Sequence, residues 1–423
     1  MNTMTKSKVD SFIENLTFNS TVDIQKKAFD NLNQLEFPTT KDEYWKYTRL
    51  GKITNQKYSA PKDTVINHKD IEKYIVSTQF IVVENGLVRS DLSSFDLDLV
   101  NIITLSVEAI ENDTANKGLG DITLNPKAKN LIFDHINTAF VEKATVISVP
   151  KNVNWQTSVQ VLYVQTGDNI ISNTRLIIES ESSSSAHIIT TFVSINANQC
   201  LTNHITQVYV GDNAQIVLDK LQIETGYHIA TEYVRQQANS TFKINTITLN
   251  GLLVRNNLNI EVEGQNCETY LNGAIIAKDK QVIDNHTFVN QLVPNCMSDE
   301  KYKYVLDEHS TGTFNGRVVV QKDAQKINAF QENGNILLSD YAKINAKPEL
   351  EIYADDVKCS HGSTTGQLDE QAIFYLQTRG ISKPKARHLL VQAFVSDVLS
   401  QIKNDRLTAL INTVLTKRFG WEL

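Results

Sequence analysis

From Trp155 to Glu351 apolar residues come in short runs, VQVLYVQ, NTRLIIES, AHIITTFVSI, HITQVYVG, AQIVLDKLQIE and their successors, divided by turns of Asn, Gly, Asp and Ser. Runs rich in Val, Ile, Thr, Tyr and Phe suit a pleated surface. No Pro lies between Lys151 and Val293 and no long helical stripe interrupts them, so the stretch predicts an all-β body. Ala186, Ala214, Ser240 and Cys267 each open a similar phrase after a polar turn (AHIIT, AQIVL, STFKI, CETYL), at intervals of 26 to 28 residues. Units that cannot bury an apolar face alone, but do so when stacked, make a parallel β-solenoid. A sandwich would show turns every eight to twelve residues or so and tight Asn-Gly or Asp-Gly hairpins, which are few here.

Both ends read as helix. Val9, Phe12, Ile13 and Leu16 form one apolar stripe, and Ala28, Leu32 and Leu35 another before Pro38. Trp45 and Tyr47, large hydrophobes in KDEYWKYTRL, are expected to pin this unit to the rest. Residues 56–125 mix strand-like IVSTQFIVVENGLV with helix-like LSVEAIENDTAN. A helix over Leu131–Phe140 and a strand before Pro150 follow. After Gly366, Asp369 is placed as an N-cap, Leu368 and Ile373 as a hydrophobic staple and Gly380 as a left-handed terminator. A second helix from Ser382 shows Ala386, Leu389, Leu390, Ala393, Phe394, Val398 and Ile402 on one face, and a third carries Leu407, Leu410, Ile411, Val414 and Leu415. These helices are expected to cap the end of the solenoid, which otherwise exposes unpaired backbone groups. The division is a helical region at 1–55, a mixed α/β lead-in at 56–150, a parallel β-helix core at 151–365 and a C-terminal helical domain at 366–423.

Composition narrows the function. A net charge of -7 without a basic run argues against nucleic acid, whose phosphates are bound by Lys and Arg. No apolar run nears the eighteen or so residues that cross a bilayer, and MNTMTKSKVD lacks the h-region of a signal peptide, so no membrane role and a cytoplasmic location are expected. Cys200, Cys267, Cys296 and Cys359 lie far apart with no C-x-x-C pair, which excludes a zinc ribbon or a thioredoxin-type motif. There is no G-x-S-x-G elbow, Walker A loop or H-E-x-x-H, and GSTTG at Gly362–Gly366 lacks the Lys of a phosphate loop.

Reactive side chains gather where strand gives way to helix, in DDVKCSHGSTTGQLDEQAIFYLQTRG from Asp355 to Gly380. In an extended strand Cys359 and His361 leave the same face about 6.5 to 7 Å apart. The plain reading makes Cys359 a small hydrophobe beside Val357 and His361 a satisfied polar residue. The functional reading makes thiolate and imidazole ligands for iron or an iron-sulfur cluster. An imidazole is largely neutral near pH 7, whereas a thiol must first ionise. Two ligands do not make a site, so others must come from Cys296, His286 or another chain.

At these residues a family resemblance appears. The stretch from Asp355 to Ile381 resembles the C-terminal signature of the SufB/SufD family of iron-sulfur cluster assembly proteins, and FNGRVVVQKDAQKINAFQENGNILLSD, Phe314 to Asp340, resembles its other shared block. DNHT at Asp284–Thr287, YKYVL at Tyr302–Leu306, NTAF at Asn137–Phe140, VPKNV at Val149–Val153 and EYWKYT near Trp45 extend the likeness over almost the whole chain. It is more similar to SufD than to SufB: SDYAKINAKP holds no Cys where SufB-like chains carry one, and the junction reads Cys-Ser-His-Gly rather than a Glu-His-Glu cluster.

The resemblance implies a right-handed parallel β-helix between helical regions. It also implies a non-catalytic scaffold in a complex of one SufB, one SufD and two SufC ATPase subunits, with a nascent iron-sulfur cluster at the SufB/SufD interface. By it His361 matches the SufD histidine opposite the SufB cysteine, with Cys359 a less secure second candidate. Asn290 stands where SufD-like sequences often have a His. Reduced flavin is implied at the level of the complex, though this chain shows no flavin motif. Two other readings compete: a β-solenoid that binds or cleaves polysaccharide, against which the missing signal peptide speaks, and a structural homodimer. Under the family reading the helical face of Leu389, Phe394 and Val398, or its rim, carries the ATPase contact, and the rungs around Asn333–Glu351 meet the paralogous chain.

Overall fold

The computed structural model describes residues 7–61, 65–95, 101–106 and 131–421. Short strands lead in: β1 (Gln79–Glu84), β2 (Leu87–Val88), β3 (Asn101–Ser106) and β4 (Lys143–Val149). From β5 (Val159–Asp168) to β19 (Val357–Gly366) successive strands alternate between two sheets. One has ten strands, in the order β19-β17-β15-β13-β11-β9-β7-β5-β1-β2, and the other nine, β18-β16-β14-β12-β10-β8-β6-β4-β3. Antiparallel ladders occur only at the lead end, β1 with β2 and β3 with β4, among the described residues. The rest is a parallel β-solenoid of about eight turns, two strands to a turn.

Gln215 pairs with Thr241 and Thr311 with Lys343, so one turn of the coil takes 26 to 32 residues, a wider range than the phrase spacing predicts. Ala214, Ser240 and Cys267 hold equivalent positions, one residue before Gln215, Thr241 and Glu268. Ala186 does not: Ser185 pairs with Gln215, so the equivalent residue is Ser184. The turns stack because Asn213, Asn239, Asn266 and Asn295, each two residues before a strand, take the left-handed conformation (φ 55, 57, 58 and 63°), which Asn tolerates better than most residues. Gly264 allows one such turn to close, since a Cβ there would stand 2.0 Å from the Ala238 nitrogen of the preceding rung.

Through the middle of the coil most strands are buried on both faces, as parallel sheets require. Inside the bore Val159, Ile188, Leu218, Ile244 and Leu271 stack in one column, each paired in register with the next. Outside, Ile171, Leu201, Tyr227, Ile229 and Leu253 of the nine-stranded sheet pack against Val9, Phe12, Leu32, Trp45 and the helix Ile132–Phe140. Trp45 is buried, with the Arg255 guanidinium 4.3 Å over its ring, whereas Tyr47 is 43% exposed. The helix-like expectation over LSVEAIENDTAN falls outside the described residues, apart from Leu105 and Ser106 at the end of β3.

The C-terminal helices α1 (Glu370–Thr378), α2 (Lys383–Leu399) and α3 (Asp405–Phe419) do not cap the coil. α2 and α3 lie along its flank, with α1 packed on α2: Val391, Val395, Val398, Leu407, Leu410 and Leu415 pack on Ile189, Leu221, Ile247, Ala274, Ile276 and Val305, outward residues of the ten-stranded sheet. That outer face is apolar and, uncovered, would stay in water, a cost larger than that of an exposed strand edge. The buried stripe on α2 is Ala386, Val391, Val395 and Val398, so Ala386 and Val398 lie as read, while Leu389, Leu390 and Phe394 are half-buried and Ala393 is exposed. The local punctuation is as read: the Asp369 side chain accepts from Gln371 N and Ala372 N, and Gly380 has φ +85°.

Candidate functional site

With the helices on the flank, the coil ends on two uncovered strands. β18 (Lys343–Ile352) closes the nine-stranded sheet and β19 the ten-stranded one, and each has a strand on one side only. From Gly362 to Gly366 β19 is exposed throughout, and β18 holds no fully buried residue. The edge is long and extended, the form in which backbone groups accept another strand.

His361 and Cys359 stand on β19 with sides in common, but in different surroundings. Cys359 pairs with Ala329 and packs half-buried against the core, and burial pushes its thiol up, so the thiolate is disfavoured. His361 pairs with Gln331 and is exposed at the rim. The structure does not bring the other proposed ligands to them. Cys296 is buried just before β15 (Met297–Leu306), its Sγ 3.3 Å from the Gly264 carbonyl, and the neighbouring Cys267 together with burial pushes its thiol up. His286 lies on β14 (Val282–Gln291) with Nε2 3.0 Å from Asp284 Oδ1, and Asp284 also takes Arg255 Nη1 at 2.5 Å. Asn290 bridges Glu261 (2.7 Å) and Gln321 (2.8 Å) on neighbouring rungs. Among the described residues no three His, Cys, Asp or Glu side chains converge as a metal cage.

Beneath His361 the bore changes character. The column that is apolar from Val159 to Leu271 continues as Glu300, Gln331 and His361, on β15, β17 (Ile327–Leu337) and β19. Gln331 Nε2 donates to Glu300 Oε2 at 2.6 Å. Burial pushes the Glu300 carboxyl up to about 7, against the pull of the hydrogen bond from Gln331. Between its ordinary 4.5 and about 7 the folded chain therefore binds more protons here than the unfolded one, and stability falls as pH rises through that window. Glu300→Gln is expected to flatten this fall and to be the more stable form at pH 8, by about 2–3 kcal/mol. Denaturant midpoints measured across the range check it; an unchanged slope would mean that Glu300 does not titrate there.

Deeper in, polar groups span the bore. Lys220 on β9 (Gln215–Ile223) meets Glu232 on β10 (Tyr227–Gln236) at 2.5 Å, and also Asn256 at 3.0 Å. Asn256 continues to Asn285 (2.9 Å), and Asn285 to the Tyr304 hydroxyl (2.8 Å). Sequence reading missed this thread. Its available signal was parity: Glu300 alternates in step with Tyr302, Tyr304 and Leu306, all inward.

The architecture is a parallel β-solenoid with helices on its flanks and an imidazole on the rim of an uncovered end. Comparison with known proteins supplies the family. The SufBD core domain of SUF-system iron-sulfur cluster assembly matches residues 163–394, and the SufBD N-terminal region matches residues 7–161. An iron-sulfur cluster assembly SufBD family protein of Synechocystis is 30% identical over 90% of this chain and 87% of its own length. The iron-sulfur cluster assembly protein SufD of Escherichia coli is 25% identical over 90% of each chain, and the chloroplastic protein ABCI7 of Arabidopsis thaliana 29% over 90% of this chain and 82% of its own. The chain belongs to the SufBD family of iron-sulfur cluster assembly proteins. No helix among the described residues is long and apolar enough to cross a membrane.

Proposed function

We propose that this chain is a non-catalytic scaffold subunit of a cytoplasmic iron-sulfur cluster assembly complex. Its open end pairs with a SufB-like paralogue, its C-terminal helices carry a SufC-like ATPase, and His361 faces a nascent cluster held between the two solenoids. One observation carries the reading: both sheets end on exposed, singly paired strands, and His361 stands on one of them. A paired partner strand would satisfy that edge. A second copy of the chain would do the same in the paralogue's absence, giving a homodimer.

Two expectations change with the fold. Asn333 and Asn335 on β17 are buried and flanked by β15 and β19, so the interface belongs to β18 and β19 rather than to the whole of Asn333–Glu351. Val398 is buried against the sheet, so ATPase docking passes to exposed surfaces, of which Phe374 and Tyr375 on α1 (67% and 57% exposed) are the largest apolar ones on these helices. Hydrogen exchange on the free chain and on the complex tests the first point. Added protection at 343–352 and 357–366 is expected; protection that stays unchanged there moves the interface elsewhere.

A further inference from the structure

Gln331 is a buried amide with only half of its hydrogen bonding used. It is 3% exposed, its Nε2 donates to the Glu300 carboxylate at 2.6 Å, and its Oε1 has no partner among the described residues. The nitrogen end is fixed from two sides. Once ionised, above about pH 7, Glu300 only accepts, so the amide must turn its NH2 to it. Gly316 of β16 (Thr311–Val320) leaves the room: a Cβ there would lie 2.2 Å from Gln331 Nε2. The oxygen end is then left free on a residue whose in-register neighbour on the rim is His361. Neighbouring strands lie about 4.8 Å apart, which puts an imidazole N–H on β19 within reach of that oxygen.

We propose that Gln331, oriented by Glu300, is a positioning residue for His361: its Oε1 accepts one ring N–H, and the other ring nitrogen turns its lone pair out of the rim. Histidines that bind metals are commonly held this way, with the second ring nitrogen tied to a carboxylate or carbonyl. The amide serves here as the carbonyl, and the buried carboxylate keeps it from turning over. The inference rests on the reading of His361 as a cluster-facing residue; Gln331 Oε1 is still open in the structure, and the exposed His361 ring reaches it by a turn of its side chain, which needs no partner chain.

The test uses the full chain with 15N-labelled imidazoles, the His361 signals being identified by their loss in His361→Ala, at a pH of about 8.5, where a free imidazole is neutral. Wild type should show the well-separated ring nitrogen shifts of a single tautomer. Gln331→Leu, which has no acceptor, and Glu300→Gln, which lets the amide turn over, should both move them toward the averaged shifts of exchanging tautomers. Gln331→Glu, whose carboxyl shares one proton with Glu300 and still offers an oxygen to His361, should restore the separation. In the reconstituted complex, cluster yield should fall about tenfold with Gln331→Leu and recover with Gln331→Glu. Ring shifts unaltered in both Gln331→Leu and Glu300→Gln overturn the relay. Altered shifts with wild-type cluster yield uphold the relay and count instead against the cluster-facing role of His361.

Discussion

His361→Ala is expected to cut iron-sulfur cluster formation by the assembled complex about tenfold or more, while the variant chain folds and assembles as wild type does. The side chain is exposed on a terminal strand, so its removal opens no cavity, and the one buried group it would leave, Gln331 Oε1, lies just under the rim within reach of water. Its loss therefore acts on the rim alone. Cys359→Ser should have the smaller effect, because that thiol is half-buried against the core and held protonated by burial. Yields compared at equal complex concentration decide the order. A Cys359→Ser complex as impaired as His361→Ala would make the sulfur an equal ligand.

Lys220→Ala is expected to cost about 3–5 kcal/mol of stability, the price of leaving one charge buried without its partner. Lys220 and Glu232 are 2% and 1% exposed, joined at 2.5 Å across the bore from opposite sheets. Removing the lysine strands a carboxylate in the middle of the coil and takes a donor from Asn256. Replacing both, Lys220→Met with Glu232→Leu, removes the stranded charge and should recover most of the loss, since buried ion pairs themselves contribute little net stability. Thermal unfolding followed by circular dichroism reads both, with a fall of several degrees for the single variant. A double variant as unstable as the single one would assign the cost to packing rather than to charge.

The β-solenoid was legible in the sequence because its turns repeat: Ser240 and Cys267 mark equivalent rung positions, and the left-handed Asn residues precede the strands. The phase slipped at Ala186, where small residues on both sides of the turn look alike. The interior thread was legible only by parity on β15; elsewhere strands buried on both faces give no alternation to tell inward Lys220 from the outward apolar Leu221. For the same reason the landing place of the C-terminal helices was misread. Ile189, Ile247 and Val305 face outward yet look like core, and only the fold shows that a helix must cover them. Of the site, the pairing of Cys359 with His361 on one strand followed from spacing. Their unequal burial did not, because it depends on β19 being the last strand and on the side chains beneath it, Ala329 for one and Gln331 for the other.

The most direct test of the central claim is pulsed electron paramagnetic resonance on the reduced cluster of the complex, with 15N-histidine incorporated in this chain alone. A hyperfine coupling from a single 15N nucleus, absent when His361→Gln is used, is the predicted result. A cluster of wild-type yield with no nitrogen coupling from this chain would contradict the assignment of His361 to the cluster.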